Sequence, residues 1–318
     1  MRPMPAGVRS GVRAGLLGLA CALGCCGCGI GPGSAPSSVS LLVTRDFGSR
    51  RLGSSSAPRV AGQETVMSLL MRNYSVSTRY GGGFVQSIDG LAGGQEAGEP
   101  VDWFYYVNGV EASKGAADVK LHAGDHVWWD HHDWSQTEDV PAVVGSFPEP
   151  FLNGLEGKRL PVRIECESVS GPACRAVNDR MTALGVPAAI AAPGSPGGTD
   201  TLSILVGVWP TVEGYPPARG LAEGPGANGV YARFAAHGHT LTVLDQNGRP
   251  VRTLSGTAGL IAATREEEEA PSWIVTGTDR AGMELAARSL DAATLQGHFA
   301  VALTPGGAIP LPQVSPGG

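Results

Sequence analysis

Beyond its N-terminal region the 318-residue chain has no apolar run long enough to cross a bilayer as a helix. Positive charge is also in short supply. With 23 Lys and Arg against 29 Asp and Glu, the formal net charge is −6, no basic stripe stands out, and nucleic acid is not an expected partner. Cysteine is scarce in the body of the chain, where only Cys166 and Cys174 lie outside the first segment. Motifs of catalysis are missing as well. There is no G-x-S-x-G elbow, no Cys/His pairing and no H-E-x-x-H; no glycine-rich nucleotide fingerprint joins a buried strand to a helix, and Gly224-Pro225-Gly226-Ala227-Asn228-Gly229 reads as a turn. These absences lead to the expectation of a non-enzyme without a cofactor.

What is present begins at the N-terminus, MRPMPAGVRSGVRAGLLGLACALGCCGCGIGPGS. Arg2, Arg9 and Arg13 precede a short apolar stretch from Ala14 to Gly24, the pattern of a secretory signal. Ala22-Leu23-Gly24-Cys25 resembles a bacterial lipobox, with Cys25 the expected acylated residue; Cys21 and Cys28 are competing positions. An acyl chain contributes about 0.8 kcal/mol per buried CH₂, enough for a multiply acylated cysteine to hold a protein at a membrane. Residues 1–28 are therefore expected to be a signal peptide and 29–37 a linker. The remainder is expected on the outer face of a bacterial cytoplasmic membrane or at the cell surface. In that location Cys166 and Cys174, spaced as CESVSGPAC, read as one local disulfide.

The remaining chain is long enough for two domains, and its 47 Gly and 24 Pro favour a turn-rich architecture over a helical bundle. Ser38 to Thr44 reads as a strand, and Thr65 as the N-cap of a helix carrying Val66, Leu69, Leu70 and Tyr74. Tyr80 to Ile88, Trp103 to Val107 and His126 to Asp130 read as strands, with a hairpin turn at Asn108-Gly109. Strand, helix, then several strands predicts a β-grasp sheet over 38–135. Here the run Trp103-x-Tyr105-x-Val107-Asn108-Gly109, followed by Gly124-Asp125-x-Val127-x-Trp129, resembles a family of bacterial exported domains. That family is related to the C-terminal β-grasp domain of the vitamin B12 carriers transcobalamin and intrinsic factor. The resemblance covers about a third of the chain and implies the fold; a corrin-like ligand is its functional implication.

Residues 101–135 hold four of the six tryptophans and four of the seven histidines. Strand alternation sends Trp103, Tyr105 and Val107 to one face, and Phe104 and Tyr106 to the other; Trp128 opposes Val127 and Trp129. A sheet covered by one helix buries one face, yet here both carry large aromatics. Either the second face packs on the following domain, which the rarity of large exposed apolar patches favours, or it is a platform for a flat apolar small molecule. On the platform reading Trp103, Tyr105, Trp128, Trp129, His131 and His132 make the contacts. On the other the chain is a structural or protein-interaction module at the cell envelope. A third class, an extracytoplasmic hydrolase, would need a buried Asp/His pair in a cleft. No metal site is expected, because His126 and Asp130 would stand about 13 Å apart along a strand and no known ligand spacing occurs.

Residues 136–158 are Pro- and Gly-rich and read as a linker. In 159–304, strands at Leu160, Thr201, Gly229, His239, Val251, Ser272 and His298 alternate with helices at Ala173, Gly214 and Asp279, predicting an α/β domain on a mixed sheet. HGH at 237–239 reads as a hairpin cap, and Gly277-Thr278-Asp279 as a helix cap rather than an anion site. Residues 305–318 are expected to be a disordered tail. The fold class expected overall is α+β, a β-grasp-like domain followed by an α/β domain.

Overall fold

In the computed structural model the described residues are 38–57, 64–79, 82–195, 197–266 and 269–314. The expected signal, its lipobox with Cys25, and the 29–37 linker lie outside them.

The first sheet starts with β1 (Val39–Arg45), where Val39, Leu41, Leu42 and Val43 are buried, and β2 (Arg50–Ala57), antiparallel to it. The helix α1 (Val66–Asn73) follows. Thr65 caps it through a hydrogen bond from the Ser68 amide, and the Ser68 hydroxyl answers at the Thr65 amide. β3 (Val76–Arg79), β4 (Phe84–Ile88) and β5 (Leu91–Ala92) form a small separate meander. β6 (Gly94–Glu96), β7 (Glu99–Val107), β8 (Val110–Glu111) and β9 (His126–Asp133) complete the main sheet. Its order is β2-β1-β9-β7-β6, with β8 on β7; β1 and β9 run parallel, and β7 runs antiparallel to β9. Asn108 and Gly109 both have positive φ, as the tight turn into β8 requires.

The second part opens with β10 (Val162–Cys166), α2 (Pro172–Ala183), β11 (Ala188–Ala191) and β12 (Leu202–Val208). Short helices α3 (Trp209–Val212), α4 (Pro216–Ala222) and α5 (Pro225–Asn228) lead to a meander of β13 (Ala232–Phe234), β14 (Thr240–Leu244) and β15 (Pro250–Ser255). β16 (Gly259–Thr264), β17 (Ser272–Gly277), α6 (Arg280–Arg288), α7 (Ala292–Leu295), β18 (Ala300–Thr304) and β19 (Gly307–Leu311) end the fold. The seven-stranded sheet has the order β11-β10-β12-β17-β16-β18-β19. Its β11, β10, β12 and β17 are mutually parallel, and β16, β18 and β19 join antiparallel. Helices α2 and α6 cover one face in a core with Ile164, Val206 and Met283, while α3, α4 and the β13–β15 meander cover the other with Leu205 and Leu260. The disulfide Cys166–Cys174 ties the end of β10 to the first turn of α2. The chain is thus mixed α/β, rich in strands and built on several sheets, and no described helix is long and apolar enough to cross a membrane.

One expectation is refined and one corrected here. The 136–158 segment, read as a linker, is packed rather than free: Ala142, Val144, Phe147 and Phe151 lie in the core of the second part, and Val143 beneath the first sheet. A segment held between two sheets needs no regular repeat, which is why its proline-rich sequence lacks periodicity. The tail is not disordered from residue 305, since β19 pairs with β18 and buries Leu311. The described residues form one compact unit.

Candidate functional site

The two faces of the first sheet divide by strand alternation. On the helix side, Trp103, Tyr105, Val127 and Trp129 join Val66, Leu69 and Leu70 of α1 in one core. Trp129 stacks on Tyr105 with ring centroids 4.8 Å apart, and the Tyr105 hydroxyl donates to the Lys114 carbonyl at 2.5 Å. His131 lies 5.1 Å from Trp103, and its Nε2 meets the Ala92 carbonyl at 3.1 Å. On the opposite face Leu42, Tyr106 and Trp128, with Phe104 beside them, pack against Val140, Val143, Tyr231, Leu244 and Phe299 from beyond the first sheet. Trp128 meets Phe299 edge-on at 5.2 Å, and its indole donates to the Thr44 hydroxyl at 2.7 Å.

A buried polar knot holds that second face. Asp130 accepts hydrogen bonds from the Phe47 and Gly48 amides at 3.0 and 2.9 Å, from the Thr44 hydroxyl, and from the His132 ring at 2.8 Å. His132 is sandwiched between Phe47 and Phe104, at 4.5 and 4.4 Å. The carboxylate therefore fixes the β1–β2 turn, where Asp46, Phe47 and Gly48 all have positive φ. An Asp/His pair is present, but it is enclosed by aromatic rings rather than set in a cleft.

All six residues expected to contact a ligand are between 0 and 8 % exposed. Trp103, Tyr105, Trp129 and His131 come together on the helix side; Trp128 and His132 lie on the opposite side, so the six do not converge on one surface. Among the described residues no group of three or more His, Cys, Asp and Glu side chains converges as a metal-ligand set.

The open feature beside this core is a cleft of about 1010 Å³ between β8, the segment after β9, α5 and the end of β16, lined by Glu111, Trp134, Gln136, Asp139 and Arg265. A smaller cavity of about 240 Å³ adjoins it, sharing Glu111, Ala112, Ser113 and Arg265 and adding Lys114, Lys120 and His122. The Glu111 carboxyl is pushed up to about 7, first by burial and then by Asp139, while the Val140 amide, donating at 2.7 Å, pulls it back. Nothing in the sequence marks Glu111, because a glutamate just after a hairpin turn reads as solvent-exposed.

Residues 63–133 match a family described as a domain of unknown function, DUF4430. No curated protein matches the chain. Among solved structures, the chain is similar to a protein from Ruminococcus gnavus ATCC 29149 described as a candidate metal binding protein. The identity is 10 %, the TM-score 0.26, and the match covers 30 % of this chain and 97 % of that one.

Proposed function

We propose that this chain is a non-catalytic module of the bacterial cell envelope, exported and held at the membrane by an acylated Cys25. In it the aromatic residues weld two sheets into one body instead of receiving a ligand. The observation that carries this reading is the shared core in which Phe104, Tyr106 and Trp128 of the first sheet pack on Tyr231, Leu244 and Phe299. Burial of both aromatic faces removes the platform on which a flat molecule would stack, and leaves the open cleft at Glu111 and Asp139 as the place where a ligand or protein partner gains access. A disulfide in the second part fits an oxidising compartment. Support for a β-grasp of the transcobalamin type comes from the order β2-β1-β9-β7, with the parallel pair β1/β9 central and one helix on a single face.

Two sheets that share a core unfold together. The full chain, followed on heating by near-ultraviolet circular dichroism and by calorimetry, is expected to show one transition at one temperature in both. Two separated transitions would mean that the sheets are independent domains, and the weld would be lost as an explanation for the aromatics.

A further inference from the structure

The seven-stranded sheet contains a feature that the weld does not use. The chain leaves β10 through α2 toward β11 on one side, and leaves β12 through α3 toward β17 on the other. α2 packs on one face of the sheet and α3 on the opposite one. The connections after β10 and β12 therefore diverge, which opens a crevice beyond the carboxyl ends of these neighbouring parallel strands. In open α/β sheets that is where ligands are bound.

A cavity of about 600 Å³ occupies this place, lined by Glu167 and Ser168 after β10, Thr211 after β12, Asp279 and Arg280 after β17, and His239. Its size is within the roughly 300–1,000 Å³ of small-molecule sites. His239 is brought in by the β13–β14 turn, where His237 and Gly238 have positive φ and a Cβ on Gly238 would stand 2.7 Å from Trp209. The turn is therefore seated directly on α3, at the mouth of the crevice.

The charges divide by what already occupies them. Both Asp279 oxygens are engaged, one by the Gly282 amide at 2.7 Å and the other by the Thr257 hydroxyl at 2.9 Å, so Asp279 serves as the α6 cap. Glu167 crosses over the end of β12, passing Gly207, where a Cβ would lie 3.0 Å from its Oε2, and accepts the Val208 amide at 2.9 Å. A carboxylate has about four acceptor positions, so this single bond fixes the group and leaves it able to receive a cation. Arg280 at the start of α6 supplies the opposite charge and a fork suited to a carboxylate.

We propose that this crevice is a binding site for a small zwitterion, a free amino acid or a dipeptide, with its ammonium on Glu167 and its carboxylate on Arg280. Ser168 and Thr211 supply hydroxyls at the rim, and His239 closes the open side.

Isothermal titration of the full chain with L-alanine and with L-alanyl-L-alanine, up to roughly 10 mM, tests the site at the weak affinities expected of small ligands. Acetate, methylammonium and glucose serve as comparisons. The expected result is saturable binding of at least one zwitterion, weakened about tenfold or more in Glu167→Gln and in Arg280→Ala. Both variants should keep the far-ultraviolet spectrum and melting temperature of the parent; Gln retains an acceptor for the Val208 amide. No saturable binding of either zwitterion would overturn the proposal, as would binding unaltered in both variants. Acetate binding as strongly as alanine would reduce the crevice to an anion site, and binding of glucose alone would make it a hydroxyl site; each result contradicts the pairing with Glu167.

Discussion

Trp128→Ala is the substitution that probes the weld at its centre. The ring is fully buried, meets Phe299 and Tyr106 at 5.2 and 5.7 Å, and donates to Thr44 at 2.7 Å. Its walls cannot follow it inward. A Cβ on Gly145 would lie 2.6 Å from the ring, and one on Gly48 3.1 Å, so main chain from the β1–β2 turn and from the 136–158 segment rests directly against the indole. Truncation of a large aromatic at such a site costs about 3–5 kcal/mol, and poor collapse of the walls places this one in the upper half of that range. For a body of this size, 4 kcal/mol corresponds to a melting temperature lower by about 8–15 °C. Urea unfolding followed by far-ultraviolet circular dichroism reads the change, with Trp134→Phe, at a half-buried position, as a control expected within about 0.5 kcal/mol of the parent. A loss below about 1 kcal/mol for Trp128→Ala would refute the reasoning, because only an exposed or loosely held indole is removed so cheaply.

Other expectations follow from the same contacts. The Tyr106 hydroxyl is buried with no hydrogen-bond partner, so Tyr106→Phe should leave stability unchanged or raise it by about 1 kcal/mol; a clear loss in urea melts would reveal a partner. Glu111 has a folded pKa of about 7 against an ordinary value of 4.5, so the folded chain keeps a proton that the unfolded chain releases. Stability is therefore greatest below about 4.5 and declines as pH rises toward 7, and Glu149, raised to about 7 by burial, adds to the same trend. Glu111→Gln should flatten that decline by an amount on the order of 3 kcal/mol, measured as urea stability at the two ends of the window; an unchanged slope would contradict the burial of Glu111. The Cys166–Cys174 bond closes a short loop, and its replacement by two serines should cost roughly 2–3 kcal/mol in the same melts. Cys25→Ala should shift the protein from the membrane fraction to the medium, whereas Cys21→Ala and Cys28→Ala should not; retention of the Cys25 variant would move the anchor elsewhere.

Much of the architecture is legible in local chemistry. Thr65 and the pair Thr278-Asp279 mark their helices because a short polar side chain before an apolar stripe has few other uses, with Asp279 the cap itself, and Asn108-Gly109 marks its turn because both residues must take positive φ. Alternation along β7 and β9 assigns each aromatic to its face correctly. Other elements leave little trace. β2 is polar and occupies a sheet edge, so its sequence resembles a loop, and β16, although wholly buried, is the weakly marked run GLIAAT. What alternation cannot supply is the covering of the second face. Phe299 and Tyr231 lie far along the chain, and only the tertiary fold brings them onto Trp128 and closes a surface that the first sheet alone would expose. The cleft at Glu111 is hidden for the same reason, because its walls come from four separate segments.

Iodide quenching of tryptophan fluorescence tests the weld most directly. Of the six indoles, Trp103, Trp128, Trp129, Trp209 and Trp273 are buried, and only Trp134 is partly open. The folded chain is therefore expected to show weak quenching that nearly disappears in Trp134→Phe. Strong quenching that persists in this variant would place the aromatic face in solvent and contradict the account.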